Sequence, residues 1–317
     1  MESEANKKMR IALIAGGKSN EREVSLSGAD SVEQALDKNK YDVVRYDSAT
    51  DLLKIATEAD NIDFALIILH GEYGEDGTIQ GFLEMLDIPY QGAGVLGSAL
   101  AMDKFLSKQL YRKAGLPVAD CVLLNNGDQF NSSQLVSELG LPLVTKPACE
   151  GSSVGVTIVK TESELEEGIA FARKYTGKGV MIEQFIDGRE FACGVLGNDQ
   201  PEGLPVLEII PGDGHTFFDY EAKYQPGASE EICPAQIDAE IAEKIQLYAV
   251  KAHEVLQLRG YSRTDFLMKK DGSLYVLETN TIPGMTATSI YPQEAAAIGM
   301  SFTVLLDRLI ELGLERV

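Results

Sequence analysis

Three short apolar runs in the first part of the chain, "RIALIAGG", "YDVVRYD" and "DFALIILHG", are separated by stretches of helical periodicity. Such alternation predicts βαβ units and an open parallel sheet. Functional loops are then expected at the strand C-termini, and two of those ends carry "GGKSNEREVSLSG" and "HGEYGEDG". The pattern changes after that. "GVLGSALAMDKFLSKQLYRKAG" reads as one helix, stopped by Gly115 with Pro117 two residues on. "PVADCVLL", "LPLVTKP", "VGVTIVK" and "GVMIEQFI" read as strands, with "TESELEEGIAFARKY" a capped helix between the last two. From Arg189 onward come strands, a Gly/Pro-rich loop at 211–228, a helix at 238–258, a hairpin and a terminal helix. The predicted fold is thus α/β and α+β in three pieces, 1–98, 99–187 and 188–317, with clefts between them.

Length and composition act mainly by exclusion. A chain of 317 residues, 44% hydrophobic and 24% charged, has the profile of a soluble globular protein and the size for more than one domain. No apolar run approaches the roughly 20 residues needed to span a bilayer. "MESEANKKMR" leads into only a short apolar run, so a signal peptide is not expected. Cys121, Cys149, Cys193 and Cys233 are widely spaced and read as reduced thiols of a cytoplasmic protein. The formal net charge of −21 argues against a nucleic-acid or membrane-surface partner, because polyanions are repelled. It also means that any phosphorylated ligand must be met by locally placed lysines, backbone amides or metal ions.

The acidic segment "YSRTDFLMKKDGSLYVLETN" has Asp271-Gly272 between two alternating runs, which predicts a two-residue hairpin. Counting back from that turn sets Asp265 opposite Glu278 and Arg263 opposite Asn280, with all four on one face. Phe266, Met268, Tyr275 and Leu277 then fall on the other. Facing carboxylates repel unless a cation lies between them. Asp265, Glu278 and Asn280 are hard oxygen ligands of the kind that suits Mg²⁺. The competing reading is a charged face neutralised by Arg263 and a lysine.

"KPACEGSSVGV" puts Lys146 at a strand end before a loop of small residues. It lacks the order of a P-loop, yet "EGSSVG" offers unhindered N–H groups and two hydroxyls able to wrap phosphate oxygens. Gly151 and Gly155 are expected to supply the unusual torsions and close approach. A plain hairpin turn is the alternative. Lys104 in "MDKFLSK" and Lys223 in "DYEAKY" are otherwise ordinary surface lysines. Glu183, inside the apolar "VMIEQFI", is a candidate acceptor for a purine amino group, and Glu190 for ribose hydroxyls, although a strand edge would also tolerate Glu183.

In order along the chain, "GGKSNEREVSLSG", "LHGEYGEDGTIQG", "MDKFLSK", "TKPACEGSSVGV", "FFDYEAKY", "GYSRTDF" and "LETNTIPGMT" resemble the ATP-grasp ligases, and within them the D-alanine–D-alanine ligases of bacterial cell-wall synthesis. The resemblance covers nearly the whole chain. It departs in small ways between the blocks, including "EQFI" at the expected adenine hinge. It implies that one D-alanine is activated by ATP as an acyl phosphate and attacked by the amine of a second, giving a dipeptide for peptidoglycan precursors. It further implies that Asp265, Glu278 and Asn280 hold two Mg²⁺, for which Mn²⁺ can substitute. Lys104, Lys146 and Lys223 would contact phosphates, with Ser153 beside them. Glu183, Glu190 and the backbone of Gln184, Phe185 and Ile186 would hold the nucleoside. Arg263 and the N–H of Gly284 would stabilise transition-state charge. Glu21 would anchor the first substrate's ammonium group, with Ser152 and Tyr224 closing a hydrogen-bonded set over it and His70 nearby. Ser289 and Ile290 would receive the second substrate, with Lys223 close to its carboxylate. Tyr224 favours an amine over a hydroxyl as the second nucleophile, because relatives that make D-alanyl-D-lactate lack the tyrosine of "EAKY". A homodimer is the family's usual form.

Without the resemblance, Glu21 also reads as an acid at a helix start, and His70 as hydrogen-bonded scaffold. Two other functions remain in view: a different ATP-grasp carboxylate–amine ligase, and a nucleotide-binding regulatory module, which would be expected to lack Arg263 or the three oxygen ligands. A nicotinamide oxidoreductase is excluded, since "IALIAGGKSNE" does not supply G-x-G-x-x-G.

Overall fold

The structure, a computed structural model, describes residues 7–212 and 229–315. The first unit is the expected parallel sheet. Strand β1 (Met9–Ala15) is followed by α1 (Arg22–Ala35), β2 (Tyr41–Asp47), α2 (Leu52–Glu58), β3 (Phe64–Ile67) and α3 (Thr78–Met85). The strand order is β2-β1-β3, all parallel. Residues Ile11 to Ile14 and Phe64 to Ile67 are almost wholly buried, as befits strands covered on both faces.

The stretch predicted as one long helix is two. α4 (Val95–Met102) ends at Asp103, whose side chain accepts the N–H groups of Phe105 and Leu106 and so starts α5 (Lys104–Lys113). An aspartate that caps the next turn interrupts the helix before it, and the break puts Lys104 at a helix N-terminus.

A four-stranded antiparallel sheet follows. It contains β4 (Cys121–Leu124), α6 (Ser132–Leu139), β5 (Leu143–Pro147), β6 (Thr157–Val159), α7 (Glu162–Ala172) and β7 (Val180–Gln184), in the strand order β4-β7-β5-β6. Helix α7 begins with the capping box formed by Thr161 and Glu164. This unit has its own core, in which Leu135, Leu143, Leu165, Ile169, Val180 and Ile182 pack together.

The third sheet holds β8 (Arg189–Leu196), β9 (Glu202–Gly203), β10 (Leu207–Pro211), β11 (Ser229–Ile232), α8 (Ala239–Val255), β12 (Tyr261–Met268) and β13 (Leu274–Asn280). Its order is β11-β10-β8-β12-β13, with β9 paired to β8. Two helices end the chain, α9 (Ile290–Ala297) and α10 (Phe302–Leu314), where the sequence pattern suggested one. Leu305, Leu309 and Ile310 of α10 pack with Ile11, Val32 and Leu66 of the first unit. Tyr111 of α5 shares a core with Phe191, Val195 and Phe266 of the third sheet. Each such large side chain contributes about 1.5–3 kcal/mol on full burial, so the first and third sheets are bound through continuous apolar packing. No helix among the described residues is long and apolar enough to cross a membrane.

Candidate active site

A cleft of about 300 Å³ opens between the four-stranded and six-stranded sheets. One wall is given by Val144, Ile158 and Ile186, the other by Leu267, Tyr275 and Leu277. Apolar walls of this kind suit a flat ring, and the polar groups gather at the ends. Of the residues expected to hold nucleotide, Lys104, Lys146, Ser153, Glu183, Gln184, Phe185, Ile186 and Glu190 all line this cleft. Lys223 and Tyr224 lie outside the described residues.

Glu183 is not an idle acceptor. Val144 and Glu183 are cross-strand partners, so Lys146, two residues along from Val144, shares their face. Lys146 Nζ lies 2.5 Å from Glu183 Oε1, and Lys108 Nζ lies 2.7 Å from Oε2. All three side chains are buried. Burial alone would raise the Glu183 carboxyl, but Lys108 and Lys146 outweigh it and hold the group down at about 2. Burial pushes Lys146 below the usual lysine range, against the pull of Glu183 and helped by repulsion from Lys108. The trio carries two cations to one anion. Lys108 escaped the sequence reading, although an acid inside an apolar strand and a second lysine one turn after Lys104 were both visible. A buried lysine needs an acid, and pairing the two anomalies would have found it.

The acidic hairpin reaches the expected register by an unexpected route. Its loop is three residues, closed by Lys269 and Ser273, with Gly272 at φ +82°. That shifts the pairing by one, so Phe266 faces Val276 and Met268 faces Leu274. A β-bulge beside Asp265 and Phe266 restores the count, and Asp265 meets Glu278 while Arg263 meets Asn280. The predicted apolar back face is corrected accordingly: Leu274 and Val276 join Phe266 and Met268 in the core, while Tyr275 and Leu277 line the cleft.

The neutralised-face reading of this hairpin holds for the protein alone. Arg263 donates to both oxygens of Asp265, from Nε at 2.7 Å and Nη2 at 2.8 Å. Asn280 Nδ2 donates to Asp265 Oδ2 at 3.1 Å, and Lys104 Nζ lies 2.9 Å from Glu278 Oε2. Although burial works against them, Asp265 raises the pKa of Arg263 and Glu278 that of Lys104, so both remain cationic. Among the described residues no three or more His, Cys, Asp or Glu side chains cluster as a metal site. Any metal therefore depends on two carboxylates and one amide oxygen, a set whose hard donors and adjacency fit Mg²⁺ with water and phosphate completing its shell.

The small-residue loop after β5 is more than a tight turn. It runs from 148 to 156 between antiparallel β5 and β6, and Lys104 N donates to Ala148 O. The left-handed torsions fall on Ser152 (φ +47°), Ser153 (φ +57°) and Gly155 (φ +73°), not on Gly151. Gly151 supplies close approach instead, since a Cβ there would sit 2.8 Å from Glu21 Oε2. Ser152 Oγ donates to Glu21 Oε1, which joins the loop to the first unit. Glu21 occupies the N-cap of α1 but makes no side-chain cap.

Beyond Glu21 lies a second buried group. His70 is held below its ordinary pKa chiefly by burial, opposed by Glu21. Glu75, which the sequence did not single out, accepts N–H groups from Gly71 at 2.8 Å and Ile282 at 3.3 Å. It thereby ties "HGEYGEDG" to the segment after β13. Burial and Glu21 raise its carboxyl to about 7. Ser289 Oγ lies against Gly284, 3.1 Å from where a Cβ would be, and hydrogen-bonds Thr286. Ile290 is buried at the start of α9.

The cleft has a cationic end and an acidic hairpin that meet at the Lys104–Glu278 pair. The D-ala D-ala ligase C-terminus model matches residues 110–311, and the D-ala D-ala ligase N-terminus model matches 46–93. The D-alanine–D-alanine ligase of Desulfotalea psychrophila is 64% identical over 316 residues, covering 100% of this chain and 98% of that protein. The chain belongs to the D-ala D-ala ligase family. The corresponding ligase of Syntrophobacter fumaroxidans is 54% identical, covering 98% of this chain and 99% of the relative. Among solved ligases, the Bacillus anthracis enzyme complexed with ATP superposes with a TM-score of 0.85 at 36% identity, over 96% of this chain and 97% of that one. The VanG D-Ala:D-Ser ligase of Enterococcus faecalis superposes at 0.82 with 33% identity, over 97% and 100%.

Proposed function

We propose that the protein joins two molecules of D-alanine, with cleavage of ATP to ADP and phosphate, to supply D-alanyl-D-alanine for peptidoglycan precursors. The observation that carries this reading is the cleft itself, in which Lys146 and Lys104 stand over an acidic β-hairpin and the loop after β5 reaches Glu21. The carboxylate of the first D-alanine attacks the γ-phosphorus, and the bond to the β-phosphate oxygen breaks as ADP leaves. The amine of the second D-alanine attacks the resulting acyl phosphate, phosphate departs, and the amine gives up its proton. Positioning and charge neutralisation are what such a reaction asks of a protein.

In this reading Lys104 and Lys146 take phosphate oxygens, and the hinge from Gln184 to Ile186 takes the nucleoside with Glu190. Lys223 belongs with the phosphates and the second substrate's carboxylate. Asp265, Glu278 and Asn280 hold Mg²⁺, which when bound neutralises phosphate charge. Arg263 and the Gly284 N–H meet the charge that develops on the transferring groups, and loss of one such donor costs about 2.7–4 kcal/mol of barrier. Glu21, within the set closed by Ser152 and Tyr224, and His70 hold the first substrate. Ser289 and Ile290 receive the second. Units 1–98, 99–187 and 188–317 serve as substrate, nucleotide and metal domains. The protein works in the cytoplasm, as four free cysteines and a nucleotide substrate suit, and as a homodimer, the usual form of the family it resembles.

The test is to supply ATP, Mg²⁺ and a panel of D-amino and D-hydroxy acids while following phosphate and product together. D-Alanyl-D-alanine formed in step with phosphate is expected. Phosphate release with D-serine or D-lactate products and no D-alanyl-D-alanine would move the protein to another acceptor, and folded protein giving no ligated product would refute the reading.

A further inference from the structure

Glu294 is fully buried on α9, and neither of its carboxyl oxygens has a side-chain hydrogen-bond partner. Burying a carboxyl without a side-chain partner is costly, and a leucine would fill the place without that cost. The surroundings show what the carboxyl faces. A Cβ on Gly194 would lie 2.5 Å from Glu294 Oε2 and 2.7 Å from the Tyr291 ring, so glycine at 194 makes the room that Glu294 occupies. Gly194 is the direct cross-strand partner of Arg263, and partners on adjacent strands project to the same face about 5 Å apart. Glu294 therefore stands beside the Arg263 side chain, on the face that carries Asp265. Helix α9 is fixed over β8 by Tyr291, whose hydroxyl donates to Val195 O and whose ring meets Tyr261 edge-on. Burial raises the Glu294 pKa well above the carboxylate range, while Arg263 and the Gly194 N–H pull it back.

Asp265 has two claims on it. In the protein alone it is held by two N–H groups of Arg263. In the reading given above it must also offer oxygen to a cation. We infer that Glu294 is a positioning residue, a second acceptor that takes the Arg263 guanidinium and so frees Asp265. Arg263 then turns within the site between two carboxyls instead of leaving it. The geometric part stands on Gly194, Tyr291 and the β8–β12 pairing; the part concerning the cation rests on the proposed metal site.

The two parts are separated by two measurements on folded full-length protein. The first needs no metal. Asp265→Asn removes the first charged acceptor, and exchange of the Arg263 guanidinium protons with water is followed by ¹⁵N NMR. Slow exchange in Asp265→Asn, and exchange at least about 10-fold faster in Asp265→Asn/Glu294→Met, is expected. Equal exchange in the two overturns the inference. The second is Mn²⁺ binding to the ADP complex, read from the free-ion EPR signal. Glu294→Met should bind about 10-fold more weakly than wild type, and Glu294→Gln, which keeps a carbonyl acceptor, should fall between them. Wild-type affinity in Glu294→Met overturns the link to the cation. Binding that is equally weak in wild type and Asp265→Asn instead refutes the metal site and leaves the guanidinium result standing. In turnover, Glu294→Met should lower kcat about 10-fold with KM for ATP within about two-fold, a split that simple loosening of α9 would not give.

Discussion

The two charged ends of the cleft are built on opposite plans. At the cationic end, one acid, Glu183, faces two buried lysines, leaving a cation in excess. At the hairpin end, Arg263 and Lys104 balance Asp265 and Glu278, and a third acid, Glu294, is buried behind them. In a protein of net charge −21, a phosphate chain could not settle on an average surface. The contrast teaches that local stoichiometry decides the ligand. In the proposed reading, a surplus cation held by a buried anion is available to phosphate oxygens, and acids matched by paired cations are available to a metal once those pairs open.

Breaking the hairpin end should have the largest effect. Arg263→Ala is expected to lower kcat roughly 10³-fold, in the range seen when a charge-stabilising arginine is lost from phosphoryl transfer. Calorimetric ADP affinity should change little, since the guanidinium is bonded to Asp265 and not to the apolar walls of the cleft. At the other end Glu183→Gln strands two buried lysines and should cost about 3–5 kcal/mol of stability in urea unfolding. Lys108→Met leaves one acid and one base, so it should cost less. It should instead raise KM for ATP, because Lys146 becomes the sole partner of Glu183 and is harder to draw away.

Acid sharpens the same comparison. The Glu183 carboxyl lies at about 2 in the fold against 4.5 for the free side chain. Its ion pairs therefore stabilise fully above about pH 4.5, and that contribution is lost as pH falls toward 2. The stability gap between wild type and Glu183→Gln, read from urea melts, should be constant above pH 5 and shrink steadily below it. The smallest effect is expected at the seam between the units. Ser152→Ala removes the hydrogen bond to Glu21 and should raise KM for the first substrate several-fold with kcat nearly unchanged, read by steady-state kinetics.

Much of this was legible in the sequence, for identifiable reasons. Alternation placed the strands, and Thr161 with Glu164 announced α7. Counting from a two-residue turn still sets Asp265 opposite Glu278 and Arg263 opposite Asn280, because the extra loop residue and the bulge cancel. That cancellation is invisible to a count from one end, which is why Tyr275 and Leu277 were put on the wrong face. Asp103 split a helix that looked continuous because its cap outweighs local periodicity. The left-handed torsions fell on Ser152 and Ser153, where the Glu21 contact and the loop path impose what composition would assign to glycine. Lys108, Glu75 and Glu294 look like surface residues in sequence, and only tertiary burial gives them partners or denies them.

The most direct test of the account is a crystal of the protein with a non-hydrolysable ATP analogue and Mg²⁺. The account predicts Mg²⁺ bound by Asp265, Glu278 and Asn280, Lys104 and Lys146 on phosphate oxygens, and Arg263 turned from Asp265 toward Glu294. Nucleotide bound with no ion at the hairpin, and with Arg263 still gripping both oxygens of Asp265, would contradict it.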